Sequence, residues 1–111
     1  RDIVRAKLGV TVGVIVSDTF GRPWRKGLTD VAIGVAGIAG VVDLRGTEDA
    51  LGRMMQVTEV CVADELASTG ELVMGKSNGV PVAVIRGGDP SWFRDSSMDE
   101  IVRPPSEDLF R

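Results

Sequence analysis

The feature that most constrains the fold is an apolar, β-branched run that stops abruptly at a polar segment. Residues 10–16 are typical of a buried strand, and Ser17, Asp18 and Thr19 follow it directly. Ligands of α/β sheets bind where strands end, so an acid between two hydroxyls at that edge suits a hydrated or phosphate-bound cation. An Asx-turn that merely closes the strand explains the same residues, and the local pattern leaves both interpretations open.

Two turn-forming residues and two arginines come next. Gly21 and Pro23 predict a loop over residues 18–26. Arg22 and Arg25 are the candidate catalytic residues, because a guanidinium can clamp a phosphate or a substrate carboxylate. Ion pairing with surface acids or with a partner subunit explains the two arginines equally well.

The amino-acid composition excludes several classes of function. The net charge of −3 over 111 residues gives no general attraction to nucleic acid or to anionic membranes. The sequence has no histidine, which excludes a Ser-His-Asp or Cys-His mechanism and a histidine-ligated zinc within this chain. Its single cysteine, Cys61, excludes an internal disulfide and favours a cytoplasmic setting. The apolar neighbourhood of Cys61 indicates a small buried side chain more than a nucleophile.

The remaining pattern predicts an α/β fold, with α+β as the variant, in which one long helix packs on a mixed sheet of three or more strands. Further strands are predicted at residues 30–38 and 80–87. The helix is predicted to begin at Thr58 as its cap and to end near Met74. One face of it would carry positions 62, 66, 69 and 73.

Shorter segments complete the single domain predicted over residues 1–111. Asp43, Arg45 and Asp49 are interpreted as a solvated turn, with a place near the site as the alternative. Ser97 predicts the start of a short helix, and residues 105–110 predict one more helical turn. Residues 1–8 have the spacing of the end of an amphipathic helix, which indicates a piece of a longer protein.

Six segments of the sequence occur together in one known family. They are SDTFGRPWR at 17–25, VAIGVAG at 31–37, DLRG at 43–46, VADELA at 62–67, LVMGK at 72–76 and VPVAVIRG at 80–87. In this order and spacing they resemble the coenzyme F420 γ-glutamyl ligases, which include stand-alone archaeal enzymes and the ligase domain of two-domain actinobacterial enzymes. The resemblance covers the C-terminal half of a larger two-domain ligase fold, so further nucleotide contacts and one more metal-binding acid are expected from an N-terminal half.

The resemblance implies a carbon–nitrogen ligase that adds L-glutamate to the deazaflavin coenzyme F420 precursor. It implies GTP as co-substrate, Mn²⁺ or Mg²⁺ as cofactor with K⁺ as a further candidate ion, an acyl-phosphate-type intermediate and a homodimer. Two alternatives remain open. One is a non-catalytic nucleotide-binding or assembly module, since a half-length chain is expected to be inactive alone, and the other is a ligase for another carboxylate acceptor.

The resemblance also assigns site residues. Asp18 and Thr19 match family positions that hold the divalent metal. The nucleotide-binding residues implied by the match are Met74, Gly75, Lys76, Ser77, Asn78 and Gly79. In some relatives an acidic or amide side chain of this loop completes the metal site, and the loop of this chain has no carboxylate.

Overall fold

The computed structural model describes residues 11–107, and its first element is a long β-hairpin. Strand β1 (Val14–Arg22) pairs antiparallel with strand β2 (Arg25–Ala36). Their many β-branched residues favour this pairing. The two-residue turn between the strands contains Trp24 at a φ of 58°, a left-handed conformation that is uncommon for a bulky residue.

The hairpin places Ser17, Asp18 and Thr19 in the middle of a strand. The predictions that the strand ends at residue 16 and that a loop follows were both wrong. The strand continues because β2 lies opposite it and takes up its backbone hydrogen bonds, with Thr19 directly across from Asp30. A shift of register just before Ser17 marks where the apolar run gives way to the polar one.

The helix starts later than predicted. Residues Glu59–Val60 form strand β4, which pairs antiparallel with β3 (Val42–Asp43), and helix α1 (Val62–Met74) begins only after Cys61. Thr58 is therefore not the cap, because its carbonyl accepts a hydrogen bond from the Leu44 amide at the end of this second strand pair.

The buried face of α1 also differs from the predicted one. Of the four predicted positions only Val62 is buried, whereas Val73 is 76 % exposed. The buried residues of the helix are Val62, Ala63, Ala67 and Gly70. Small side chains along this face let the helix approach the hairpin closely.

Two polar side chains of α1 bind the free edge of β2. Asp64 Oδ1 accepts a hydrogen bond from the Ala32 amide at 2.9 Å, and Ser68 Oγ donates to the Asp30 carbonyl at 2.9 Å. Four helical residues rise about 6 Å and two strand residues about 6.6 Å, so the two spacings match. The helix thereby covers an edge that would otherwise expose unpaired backbone groups.

The predicted strand at residues 80–87 is absent from the described structure. This segment contains no strand residues, and Val82 and Val84 are 71 % and 78 % exposed. A strand needs a neighbour to take its backbone hydrogen bonds, and no strand within residues 11–107 pairs with this one.

The C-terminal part folds back beside the start of β3. The predicted helical turns are present as short 3₁₀ helices at Met98–Glu100 and Pro105–Glu107, preceded by another at Pro90–Trp92. Arg94 holds this part in place, because its guanidinium pairs with Glu100 and donates to the Val41 carbonyl.

The mixed α/β class with one long helix is confirmed, although the four strands within residues 11–107 form two antiparallel pairs and not one sheet. The buried apolar residues are Ala32, Ile38, Ala39, Val62, Ala63 and Ala67. No helix in the described range is long and apolar enough to cross a membrane. The helical end predicted for residues 1–8 and the last residues of the predicted tail turn lie outside that range.

Replacing Asp64 tests how the helix is attached to the strand edge. We expect Asp64→Ala to lower the free energy of unfolding by about 1–3 kcal/mol, because the amide of the buried Ala32 loses its acceptor. Glu65→Ala is the matched control, since it removes an exposed acid from the same first helical turn. Equal losses in urea unfolding of the two variants would contradict the role of Asp64.

Candidate functional site

Three oxygen-bearing side chains share one face of the hairpin. Thr19 lies opposite Asp30, and Ser17 is two residues earlier on the same strand, so all three point to one side. Ser17 Oγ donates to Asp30 Oδ2 at 3.3 Å. Asp30 is only 5 % exposed, which makes its carboxylate the one buried charged group among the described residues.

A lysine from the loop that follows the C-terminus of helix α1 completes this group. Lys76 Nζ donates to Thr19 Oγ1 at 2.9 Å and forms an ion pair with Asp30 Oδ1. Glu71 Oε1 lies 3.9 Å from the same nitrogen. We call Ser17, Thr19, Asp30, Glu71 and Lys76 the lysine cluster. The hydrogen bond from Lys76 to Asp30 raises the pKa of the lysine above its ordinary value, so the ammonium stays charged.

The loop that carries Lys76 turns back towards the hairpin at Gly75. This glycine has a φ of 68°, and its amide donates to the Glu71 carbonyl at 2.8 Å, closing the helix. Asn78 Nδ2 then donates to the Met74 carbonyl at 3.2 Å. Glycine suits this path because the left-handed φ strains other residues, and a side chain at position 75 would also require the Asn78 amide to move.

The structure thus brings together two of the sequence-predicted site segments. Thr19 belongs to the predicted metal pair and Lys76 to the predicted nucleotide loop, and the two side chains are in contact. Their assigned roles stay predictions. Asp18 directly precedes Thr19 on β1, and its Oδ1 accepts a hydrogen bond from the Thr19 amide at 2.7 Å.

Sequence reasoning missed Asp30. It was read as the first residue of an apolar strand, and no spacing rule connects it with Lys76, which lies 46 residues away. The usable signal was an acid directly before an apolar run, since a charge that folding buries needs a partner.

One of the two candidate arginines shares a groove with a member of the lysine cluster. Arg22 Nη2 donates to the Lys26 carbonyl at 3.4 Å, and Arg22 lines a shallow groove together with Asp30 and Asp64. Arg25 is the exposed first residue of β2. Their role as clamps stays a prediction.

Residues 44–49 form a largely exposed turn after β3, which agrees with the predicted solvated turn, whereas a place near the site stays a prediction. Arg45 forms a two-pronged ion pair with Asp43, which lowers the pKa of that carboxyl to about 2. Asp49 accepts hydrogen bonds from the Leu51 and Arg53 amides. These acids are therefore committed to their own turn.

The described residues offer a divalent ion only part of a site. No three acidic, histidine or cysteine side chains gather within residues 11–107. The carboxylate of Asp18 fits Mn²⁺ or Mg²⁺, because it is a hard oxygen donor on an exposed strand. Thr19 fits a divalent ion poorly in this arrangement, because the Lys76 ammonium lies 2.9 Å from its hydroxyl oxygen and would repel a second cation. Adjacent strand residues also point to opposite faces, so Asp18 and Thr19 do not converge on one ion.

The surroundings of the single cysteine disfavour its thiolate form. Cys61 is half-buried beside the helix start, and burial raises the pKa of its thiol to about 11. The interpretation of Cys61 as a packing residue agrees with this, since the thiolate and not the thiol is the reactive form.

The rate of alkylation tests the raised pKa of the Cys61 thiol. With the pKa raised from 9.0 to about 11, we expect iodoacetamide to modify Cys61 in the folded protein at pH 8 roughly tenfold more slowly than in urea, because the smaller thiolate fraction outweighs the greater nucleophilicity of a more basic thiolate. The rate should climb as the pH approaches 11. Equal rates in folded and unfolded protein would show that the thiol is activated.

Comparison with known proteins identifies the family. The model of the F420-0:gamma-glutamyl ligase family matches residues 1–87. The coenzyme F420:L-glutamate ligase of Methanococcus maripaludis strain C7 is 49 % identical over 104 residues, 93 % of this chain and 42 % of that protein. The enzyme of the same name from Methanocaldococcus jannaschii is 47 % identical over 112 residues, 100 % of this chain and 45 % of that protein. The chain thus spans less than half the length of these relatives, and it belongs to the F420-0:gamma-glutamyl ligase family.

Proposed function

We propose that this chain forms part of the active site of a ligase that joins L-glutamate to a carboxylate of the coenzyme F420 precursor. The relatives that carry this name support the reaction. The observation that carries the proposal for this chain is the contact of Lys76 with Thr19. It joins the LVMGK and SDTFGRPWR segments, which are far apart in sequence, into one polar site.

A carboxylate must be activated before an amine can attack it. We infer that GTP supplies the activation, by phosphorylating the acceptor carboxylate to an acyl phosphate that glutamate attacks with release of phosphate. Phosphoryl transfer depends mainly on positioning and on neutralising negative charge. A site that holds a charged lysine close to exposed strand residues provides such positive charge.

Each part of the site has a task in this proposal. The backbone and side chains of residues 74–79 hold the nucleotide, with Lys76 facing its phosphates. Asp18 would hold Mn²⁺ or Mg²⁺, which neutralises phosphate charge when bound. Arg22 and Arg25 would clamp the phosphate or the carboxylate substrate from the turn of the hairpin. A homodimer that completes the site belongs to the same proposal.

Removing the Asp18 carboxylate tests the proposal in the complete protein. We expect Asp18→Asn to reduce glutamate addition by about a hundredfold or more, because a neutral amide binds a divalent cation poorly. The assay follows the glutamylated deazaflavin by mass spectrometry, with the precursor, glutamate, GTP and Mn²⁺ present.

Asp99→Asn is the matched control, since Asp99 is an exposed acid on the 3₁₀ helix Met98–Glu100. We expect it to keep the activity of the unsubstituted protein. Circular dichroism should show both variants folded, because Asp18 is exposed and its hydrogen bond from the Thr19 amide is local. Full activity of Asp18→Asn would refute the metal role, and no GTP-dependent product with the unsubstituted protein would refute the ligase.

A further inference from the structure

The oxygens of the lysine cluster already surround a cation. Thr19 Oγ1 and Asp30 Oδ1 both accept from Lys76 Nζ, and the second oxygen of Asp30 accepts from Ser17. A buried carboxylate beside a threonine hydroxyl is a donor set that a divalent ion would also bind. Here the cation is part of the chain.

We propose that the Lys76 ammonium is the resident cation at Thr19 and Asp30, so that this position binds no divalent ion and the lysine supplies the positive charge there. That this charge faces a nucleotide phosphate rests on the proposed function. The occupation of Thr19 and Asp30 by Lys76 rests on the geometry alone.

Burial of Asp30 explains why the Lys76 ammonium stays beside its carboxylate. A carboxylate that is 5 % exposed pays a large desolvation cost unless a positive charge accompanies it. Ser17 satisfies one oxygen with a neutral hydroxyl, and Lys76 provides the charge for the other. The side chain of Lys76 is itself 51 % exposed, so its ammonium reaches the buried acid while remaining open to an anion from solvent.

The same geometry excludes a metal ion. A divalent ion would have to bind the Thr19 and Asp30 oxygens at roughly 2.0–2.6 Å. Lys76 Nζ already lies within hydrogen-bond distance of both, and two cations at such separation repel each other strongly. Asp18 stays available to a divalent ion, because adjacent strand residues point their side chains to opposite faces of the strand.

Counting bound Mn²⁺ ions tests this inference without any turnover. Mn²⁺ is titrated into the complete protein without nucleotide, and the free ion is followed by electron paramagnetic resonance. We expect Thr19→Val to bind as many ions as the unsubstituted protein. We expect Lys76→Glu to bind one more, because it removes the resident cation and adds a carboxylate beside Asp30. The double variant Lys76→Glu/Thr19→Val should bind the added ion at least tenfold more weakly.

Lys26→Glu is the matched control, because it makes the same charge change at an exposed lysine of β2 and should add no ion. Loss of one ion in Thr19→Val, or no added ion in a folded Lys76→Glu, would overturn the inference. If Lys76→Glu fails to fold, Thr19→Val alone decides. Because the count needs no reaction, an inactive protein that behaves as expected would refute the ligase proposal and leave this inference intact.

Discussion

The ion pair between Asp30 and Lys76 is the interaction on which the arrangement of this chain depends. It connects the second strand of the hairpin with the loop that follows helix α1, 46 residues further along the sequence. The carboxylate is buried and the lysine is half exposed, so the pair has one end in the protein interior and one at the surface. That position fixes the loop against the hairpin and directs a positive charge towards solvent.

Helix α1 positions Lys76 for this contact through attachments near its own N-terminus. Asp64 and Ser68 attach its first turns to the backbone of Ala32 and Asp30, which fixes both the height and the rotation of the helix on the strand. Its last residue then lies where Gly75 can turn the chain back over Thr19. The helix works as a spacer between two attachment points, and the site lies where the second attachment forms.

Sequence reasoning found the parts of this structure but not their relation. Long β-branched runs and helical spacing predicted the two strands of the hairpin and the helix, because these signals are local. The middle of β1 was mistaken for a strand end, since polarity alone does not show that an opposing strand continues. Residues 80–87 were mistaken for a strand, since their composition does not show whether a partner strand lies beside them.

For the site too, local motifs could be found from the sequence, whereas tertiary contacts could not. Thr19 and Lys76 could be selected from motifs in two segments, whereas Asp30 could not, because its partner lies far away in sequence and its burial results from tertiary packing. The contact of Lys76 with Thr19 and Asp30 also required coordinates. A motif indicates the chemical type of a residue, whereas the fold shows which side chains it contacts.

The most direct test of this account is a double-mutant cycle between Asp30→Asn and Lys76→Met, measured by urea unfolding of the complete protein. We expect each single variant to have a lower free energy of unfolding than the unsubstituted protein. The double variant should lose clearly less than the sum of the two single losses, because each charged partner destabilises the protein mainly when the other is missing. Strictly additive losses would mean that the two charges do not interact, and would contradict the account.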